Sequence, residues 1–407
     1  MREKKLLLAS ALTAVFALTA ACSSDSTDSP AVGPSPHIDA HSLDTGSFKT
    51  TPGKLGSPNP ARARIVEGQR LGSVAPLAVE VDSRFKYQAG HEDNSTYAWI
   101  DPSIAGIRSD HFDEDAKGFT AGFYTWGRSE QDLGIAQSIS YSVLLFSDDD
   151  SASHASRALY ERELEVQRNL KFSGDTYPRG PVAISEHPDI LAWTTYDGRL
   201  ESYKTAGRFV IRTSVSDSLK RELHKIDIDE LMALTTKSMS TISSEIVKFT
   251  PTPTDNLASV PVDHDDILGR TLQRSPGDTW TDPPGFYDRH GSLHLSQNPD
   301  TDTKLFAETG MDWMGNNGAR LYRAKDAATA QKIFEAHSRF GKAYSLINSP
   351  KNLPVAKCYE YHADEYGKFR YQCLVRYNNY VAEVSSNQLI DIHQRISAQY
   401  AILENSE

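Results

Sequence analysis

The sequence predicts an α+β protein of two similar modules, each running strand, helix, three-stranded antiparallel meander, helix. Three observations point there. At 407 residues the chain exceeds ordinary single-domain size. Alternating prolines at Pro251 and Pro253, inside the run 249–256, exclude both helix and central strand and split the chain into comparable halves. The same order of periodic segments then occurs on both sides of that break.

In the first half, residues 140–147 read as a strand, and Asp148, Asp149 and Asp150 open a helix over about 151–170 with Ala152, Ala155, Leu159 and Val166 on one stripe. A meander follows. Residues 190–196 lead into Asp197-Gly198, a two-residue hairpin signal, and the strand ending at Thr205 turns at Ala206-Gly207 into 208–214. Asp227, with Glu230 three residues on, opens a helix through Leu231, Leu234, Ile242 and Ile246.

The second half repeats the order. Residues 319–323 form a short strand, and Asp326 caps a helix carrying Ala330, Ile333, Phe334 and His337 at helical spacing, with Gly341 as its stop. Strands at 357–362 and 368–377 flank the turn 364–367, and Asn378-Asn379 leads into 380–385. Asn387 opens a helix with Leu389, Ile392, Ile396 and Tyr400. Residues 207–211 fall where 379–383 fall, which reads as an internal duplication. Upstream of these units, 77–81 and 293–295 look like short strands among long loops.

The first 22 residues read as an address. Arg2, Lys4 and Lys5 precede an apolar run at 6–18 broken by Ser10 and Thr13, and then the small residues Thr19, Ala20 and Ala21 precede Cys22. The run is shorter than the ~20 residues a spanning helix needs. A signal peptide over 1–21 and acylation of Cys22 are expected, which makes an N-terminal lipid the membrane contact and places the protein outside the cytoplasm. Residues 22–42 then form a tether rich in Ser, Thr, Asp, Pro and Gly. The expected organisation continues with an N-terminal domain at 43–248, a Pro/Thr-rich linker at 249–262 and a C-terminal domain at 263–407.

Several stretches resemble an uncharacterised family of exported actinobacterial lipoproteins with an N-terminal domain and a distinct C-terminal one. They are 43–46 with 50–52, 64–71 and 124–128, after the Cys22 lipobox. The resemblance implies the address and the two-domain division, and no catalytic residue.

A formal net charge of −11 argues against nucleic acid as a partner. No nucleophile elbow, Walker loop, zincin helix or dinucleotide turn occurs, so no cofactor and no catalytic residue is expected. The metal-like patterns fail on detail. Asp113, Asp115 and Gly118 suit a calcium loop, but Lys117 and Tyr124 occupy positions that need oxygen ligands, and 300–304 fails the same test without the glycine. His290 and His294 would share one strand face, His337 reads as a hydrogen-bonded core histidine, and His264 sits among Asp263, Asp265 and Asp266. Tyr359, Tyr361, Phe369, Tyr371 and Tyr377 crowd the second meander and read as cross-strand packing.

The functional expectation is a non-catalytic binding module for an envelope lipid, glycan or protein, with a cleft at the module junction. The alternative is an envelope hydrolase using loop carboxylates at 110–115 or 263–266. Cys358 and Cys373 are expected to form a disulfide, because the hairpin centred on 365–366 sets them opposite each other and an exported chain meets oxidising conditions.

Overall fold

In the computed structural model the described residues are 38–88, 97–108, 110–169, 177–275, 278, 282–363 and 369–406. The expected signal peptide, Cys22 and the turn expected at 364–367 lie outside them. The first module opens with α1 (Pro60–Leu71), where the Asn59 side chain accepts from the Arg62 N–H at 2.8 Å and Pro60 takes the first helical position. Next come α2 (Ala78–Val81), β1 (Ala98–Trp99), α3 (Phe112–Asp115), β2 (Phe119–Arg128), β3 (Gln137–Phe146) and α4 (Asp149–Asn169). Four strands then run as β4 (Gly180–Val182), β5 (Leu191–Thr194), β6 (Leu200–Ala206) and β7 (Phe209–Asp217), followed by α5 (Ser218–Glu222) and α6 (Ile228–Ile246).

The second module has β8 (Gly285–Asp288), α7 (Arg289–Leu293), α8 (Pro299–Thr309), β9 (Trp313–Asn316), β10 (Arg320–Arg323) and α9 (Ala327–His337). It ends with β11 (Tyr344–Ile347), β12 (Lys357–Tyr361), β13 (Tyr371–Tyr377), β14 (Tyr380–Ser386) and α10 (Leu389–Glu404). Each module is one seven-stranded antiparallel sheet, ordered β1-β2-β3-β7-β6-β5-β4 and β8-β9-β10-β14-β13-β12-β11. Numbered from its own first strand, each reads 1-2-3-7-6-5-4. The α+β class and the two similar modules are therefore as the sequence predicts.

The meander has one more strand than expected. β4 is three residues long and contains Pro181, which an edge strand tolerates, and β11 is the matching edge. The repeat is also offset by one from the sequence reading. Ala206 pairs with Phe209 and Tyr377 with Tyr380 across two-residue turns, with positive φ at Gly207 and Asn378. Gly207 is thus equivalent to Asn378, and Arg212 to Glu383.

Two expected strands are helical. At 77–81 the Leu77 N–H donates to the Glu80 carboxylate at 2.7 Å, closing the first turn of α2. At 289–293 Asp288 accepts from the Gly291 N–H at 2.7 Å and caps α7, so His290 and His294 lie on a helical turn rather than a strand face. β2 was illegible because Gly122 and Gly127 interrupt its pattern. A Cβ at Gly122 would fall 2.2 Å from the Trp99 ring, and one at Gly127 would fall 2.4 Å from the Ala78 Cβ. The glycines let β1 and α2 close onto the strand.

A single apolar cluster runs from Leu71, Phe123 and Ile211 to Tyr287, Met314 and Ile333, so the two modules share a core. A second cluster, around Ile392, Ile396 and Tyr400, holds Leu43, with Ile38 and Phe48 against it. The described chain before α1 therefore packs on the C-terminal module: Asn352 donates to the Ser42 carbonyl at 2.7 Å, and Gly53 N–H to the Gly269 carbonyl at 2.7 Å.

Candidate functional site

The segment after α6 is fastened rather than slack. Glu67 of α1 is fully buried and accepts from the Thr252 N–H at 2.6 Å, the Thr252 hydroxyl at 2.9 Å and Arg70 at 2.6 Å. Arg70 also donates to the Thr252 Oγ1 and the Thr250 carbonyl, and its guanidinium lies 5.1 Å from the Phe249 ring centroid. Pro251 and Pro253 lack the N–H needed to pair in a sheet.

A cleft of about 880 Å³ opens under this strap. Its walls come from α1 and the turn after it (Arg70, Val74), from the strap (Phe249, Pro251) and from the C-terminal sheet (Phe286, Trp313). His264 stacks on Trp313 with ring centroids 3.9 Å apart, and Phe286 lies 5.7 Å from the same indole. Charge of both signs borders the opening: Arg70 and Lys248 against Asp263 and Asp288. Asp263 organises its own turn, accepting from the N–H groups of His264, Leu268 and Gly269 at 2.7–2.8 Å. Burial pushes its carboxyl up despite those bonds. An apolar trough with a few fixed polar groups suits a ligand with an apolar body and a polar end.

The histidines do separate jobs. His294 is fully buried between the modules, with Nδ1 2.9 Å from Thr125 Oγ1 and Nε2 2.9 Å from the Ala75 carbonyl. The carbonyl only accepts, so Nε2 carries the proton and Nδ1 accepts from the Thr125 hydroxyl. Burial, aided by the charge of His290, lowers its pKa to about 3 and keeps it neutral. His290 instead meets the Gly72 carbonyl and Glu80, each at 3.1 Å.

His337 is a part-buried hydrogen-bonded histidine, held between Glu383 of β14 at 2.5 Å and Asp302 of α8 at 3.3 Å. Burial alone would lower its pKa, but the two carboxylates raise it to about 10, so the ring is an imidazolium. Ser296 donates to the far oxygen of Asp302 at 2.6 Å. Both ring nitrogens are committed to carboxylates, leaving no basic nitrogen to activate a hydroxyl. This chain borders a smaller cavity of about 410 Å³ on the C-terminal sheet, beside Arg320 and Ser385.

The loop carboxylates do not converge. Asp110 pairs with Arg108 and Asp115 with Arg162, both at the surface of the N-terminal module, while Asp265 pairs with Arg323. Cys358 and Cys373 are bonded, opposite each other in β12 and β13 with Cα atoms 4.1 Å apart. The meander aromatics pack locally: Tyr359 against Phe340 at 4.4 Å, Tyr361 against Tyr344 at 4.8 Å and Tyr377 against Tyr400 at 5.4 Å. Sequence reasoning named Phe249 and His264 but missed Arg70, Phe286 and Trp313 as partners in one cleft; three distant segments supply them.

Two fused α+β modules strapped across an apolar junction cleft define the class. The chain belongs to the two-domain family described as Domain of unknown function (DUF7373): residues 55–262 match its N-terminal part and residues 267–406 its C-terminal part. A search of curated proteins finds no match. Among solved structures, the extracellular domain of PknH from Mycobacterium tuberculosis is similar at 13% identity, covering 45% of this chain and 97% of that one. Its TM-score of 0.28 carries no argument about shared fold. No helix among the described residues is long and apolar enough to cross a membrane.

Proposed function

We propose that this protein is an exported, lipid-anchored binding module that holds the apolar part of an amphipathic envelope molecule in the junction cleft. The observation that carries the reading is the cleft itself: about 880 Å³, walled by Phe249, Phe286, Trp313 and prolines and bordered by charge of both signs. That volume lies within the ~300–1,000 Å³ of small-molecule sites and is far too small for a folded partner. The lipobox-like leader before Cys22 supports export, and the Cys358–Cys373 disulfide fits an oxidising compartment.

A dansylated fatty acid titrated into the full chain tests the cleft. Emission should rise saturably, and Trp313→Ala, checked for an intact melting transition, should weaken binding about tenfold. Equal affinity in the variant, or no saturable binding to wild type, would sink the reading. Anchoring is tested separately: Cys22→Ser should shift the protein from the detergent to the aqueous phase on partitioning, and identical partitioning would refute it.

A further inference from the structure

The N-terminal sheet carries a second cavity, of about 480 Å³, on the face covered by α4. Glu163 and Gln167 reach it from the helix, and Trp193, Arg199, Glu201 and Arg212 reach it from the meander. Both of its arginines are paired. Arg212 pairs with Glu201 at 2.8 Å and Arg199 with Asp197 at 2.8 Å, while Ser214 donates to Glu201 and Arg212 to the Ala105 carbonyl, both at 2.8 Å. Burial pushes the Glu163 carboxyl up, with Arg212 pulling the other way.

Hydrogen-bonding capacity is left over. Among the described residues, Trp193 Nε1, Arg199 Nε, Arg212 Nε and Gln167 Oε1 are buried with no hydrogen-bond partner, as is Glu201 Oε2, which has Arg212 at 2.8 Å as its ion-pair partner. Trp193 is only 1% exposed, wedged between Tyr160 and Tyr203. An unmatched buried polar group costs about 1–3 kcal/mol, so four around one cavity call for a matching guest. Leaving the paired Glu201 oxygen aside, three are donors and one an acceptor, and each arginine already has a carboxylate partner. A simple anion would satisfy the donors and leave Gln167 unmatched; an alkyl chain would satisfy none. A hydroxyl both donates and accepts, and several on one small frame meet all four.

We propose that this cavity is a binding site for a neutral polyhydroxylated ligand of mono- or disaccharide size. It is separate from the junction cleft, and neither proposal depends on the other.

Calorimetric titration of the full chain with N-acetylglucosamine, maltose and cellobiose tests the site, with sodium acetate and inorganic phosphate as anionic comparators. At least one sugar should bind saturably and more tightly than either anion. Trp193→Phe and Gln167→Leu should each weaken it about tenfold. Trp193→Phe also shrinks a buried ring packed on Tyr160 and Tyr203 and should lower the melting temperature modestly, whereas Gln167→Leu should leave melting temperature at the wild-type value; dansylated fatty acid binding should be unchanged in both. Three results would overturn the proposal: no saturable sugar binding, unchanged sugar affinity in both variants, or preference for an anion.

Discussion

The two sheet cavities occupy the same place in two copies of one topology and solve the same problem oppositely. Three equivalent strand positions border both: Arg212 and Glu383, Glu201 and Gln372, Ser214 and Ser385. In the N-terminal module the β7 position is a cation whose partner, Glu201, sits on the adjacent strand, so the ion pair closes within the sheet and the remaining donors face the cavity. In the C-terminal module it is an anion, and the covering helix supplies His337 to close a chain from Glu383 through Asp302 to Ser296. Inverting one charge replaces the ion pair within the sheet by a chain through the covering helix, and of the residues lining that cavity only Arg320, through Nε, has a buried side-chain polar atom without a hydrogen-bond partner among the described residues. The disulfide adds to the contrast, since Ala192 pairs with Ser202 where Cys358 pairs with Cys373.

The largest expected effect breaks the closed chain. Glu383→Ala leaves a part-buried imidazolium with Asp302 as its one remaining carboxylate partner and should lower stability by about 3 kcal/mol in urea unfolding, the lower end for a buried pair. Glu163→Gln, in the open cavity, should change it by less than about 0.5 kcal/mol. Equal losses would show that the two cavities are energetically alike.

A pH series sharpens the same point. His337 has a folded pKa of about 10 against an ordinary 6.5, so its contribution is fully present below 6.5 and is lost as pH rises through 10. Across that window the folded state holds about one proton more than the unfolded, and stability falls by about 1.4 kcal/mol per pH unit. The wild-type curve minus the His337→Gln curve should show this slope; parallel curves would contradict it.

Smaller again is the disulfide. The bond spans 15 residues, and replacing both cysteines by serine should cost about 2–3 kcal/mol, below the ~3 expected from chain entropy because the hairpin already holds the ends together. A loss above that of Glu383→Ala would reverse the order.

What was legible follows from range. The amphipathic helices, the Asp caps and the two-residue turn at Gly207 are local and emerged close to their sequence positions, whereas Asn387 accepts from the Arg370 N–H instead of capping α10, which starts after Gln388, and the Asp197-Gly198 turn is a longer loop closed by Thr195 and Arg199. The cysteine pairing was legible because a hairpin's centre fixes its register, which the structure shows as Cys358 opposite Cys373. Short elements failed. Leu77, Val79 and Val81 alternate as a strand would, yet Glu80 reaching back to Leu77 N–H makes them helical. α1 went unread although Asn59-Pro60 marks its start. The cleft was anticipated as a junction but not in its residues, because Arg70, Phe249 and Trp313 lie in three segments that meet only once both sheets have formed.

The junction cleft is the central claim, and hydrogen–deuterium exchange of the full chain with and without the dansylated fatty acid tests it most directly. Bound probe should slow exchange at residues 69–74 and 248–261, which line the cleft, and leave β5–β7 unchanged. Unaltered exchange in the strap, or protection confined to β5–β7, would contradict the account.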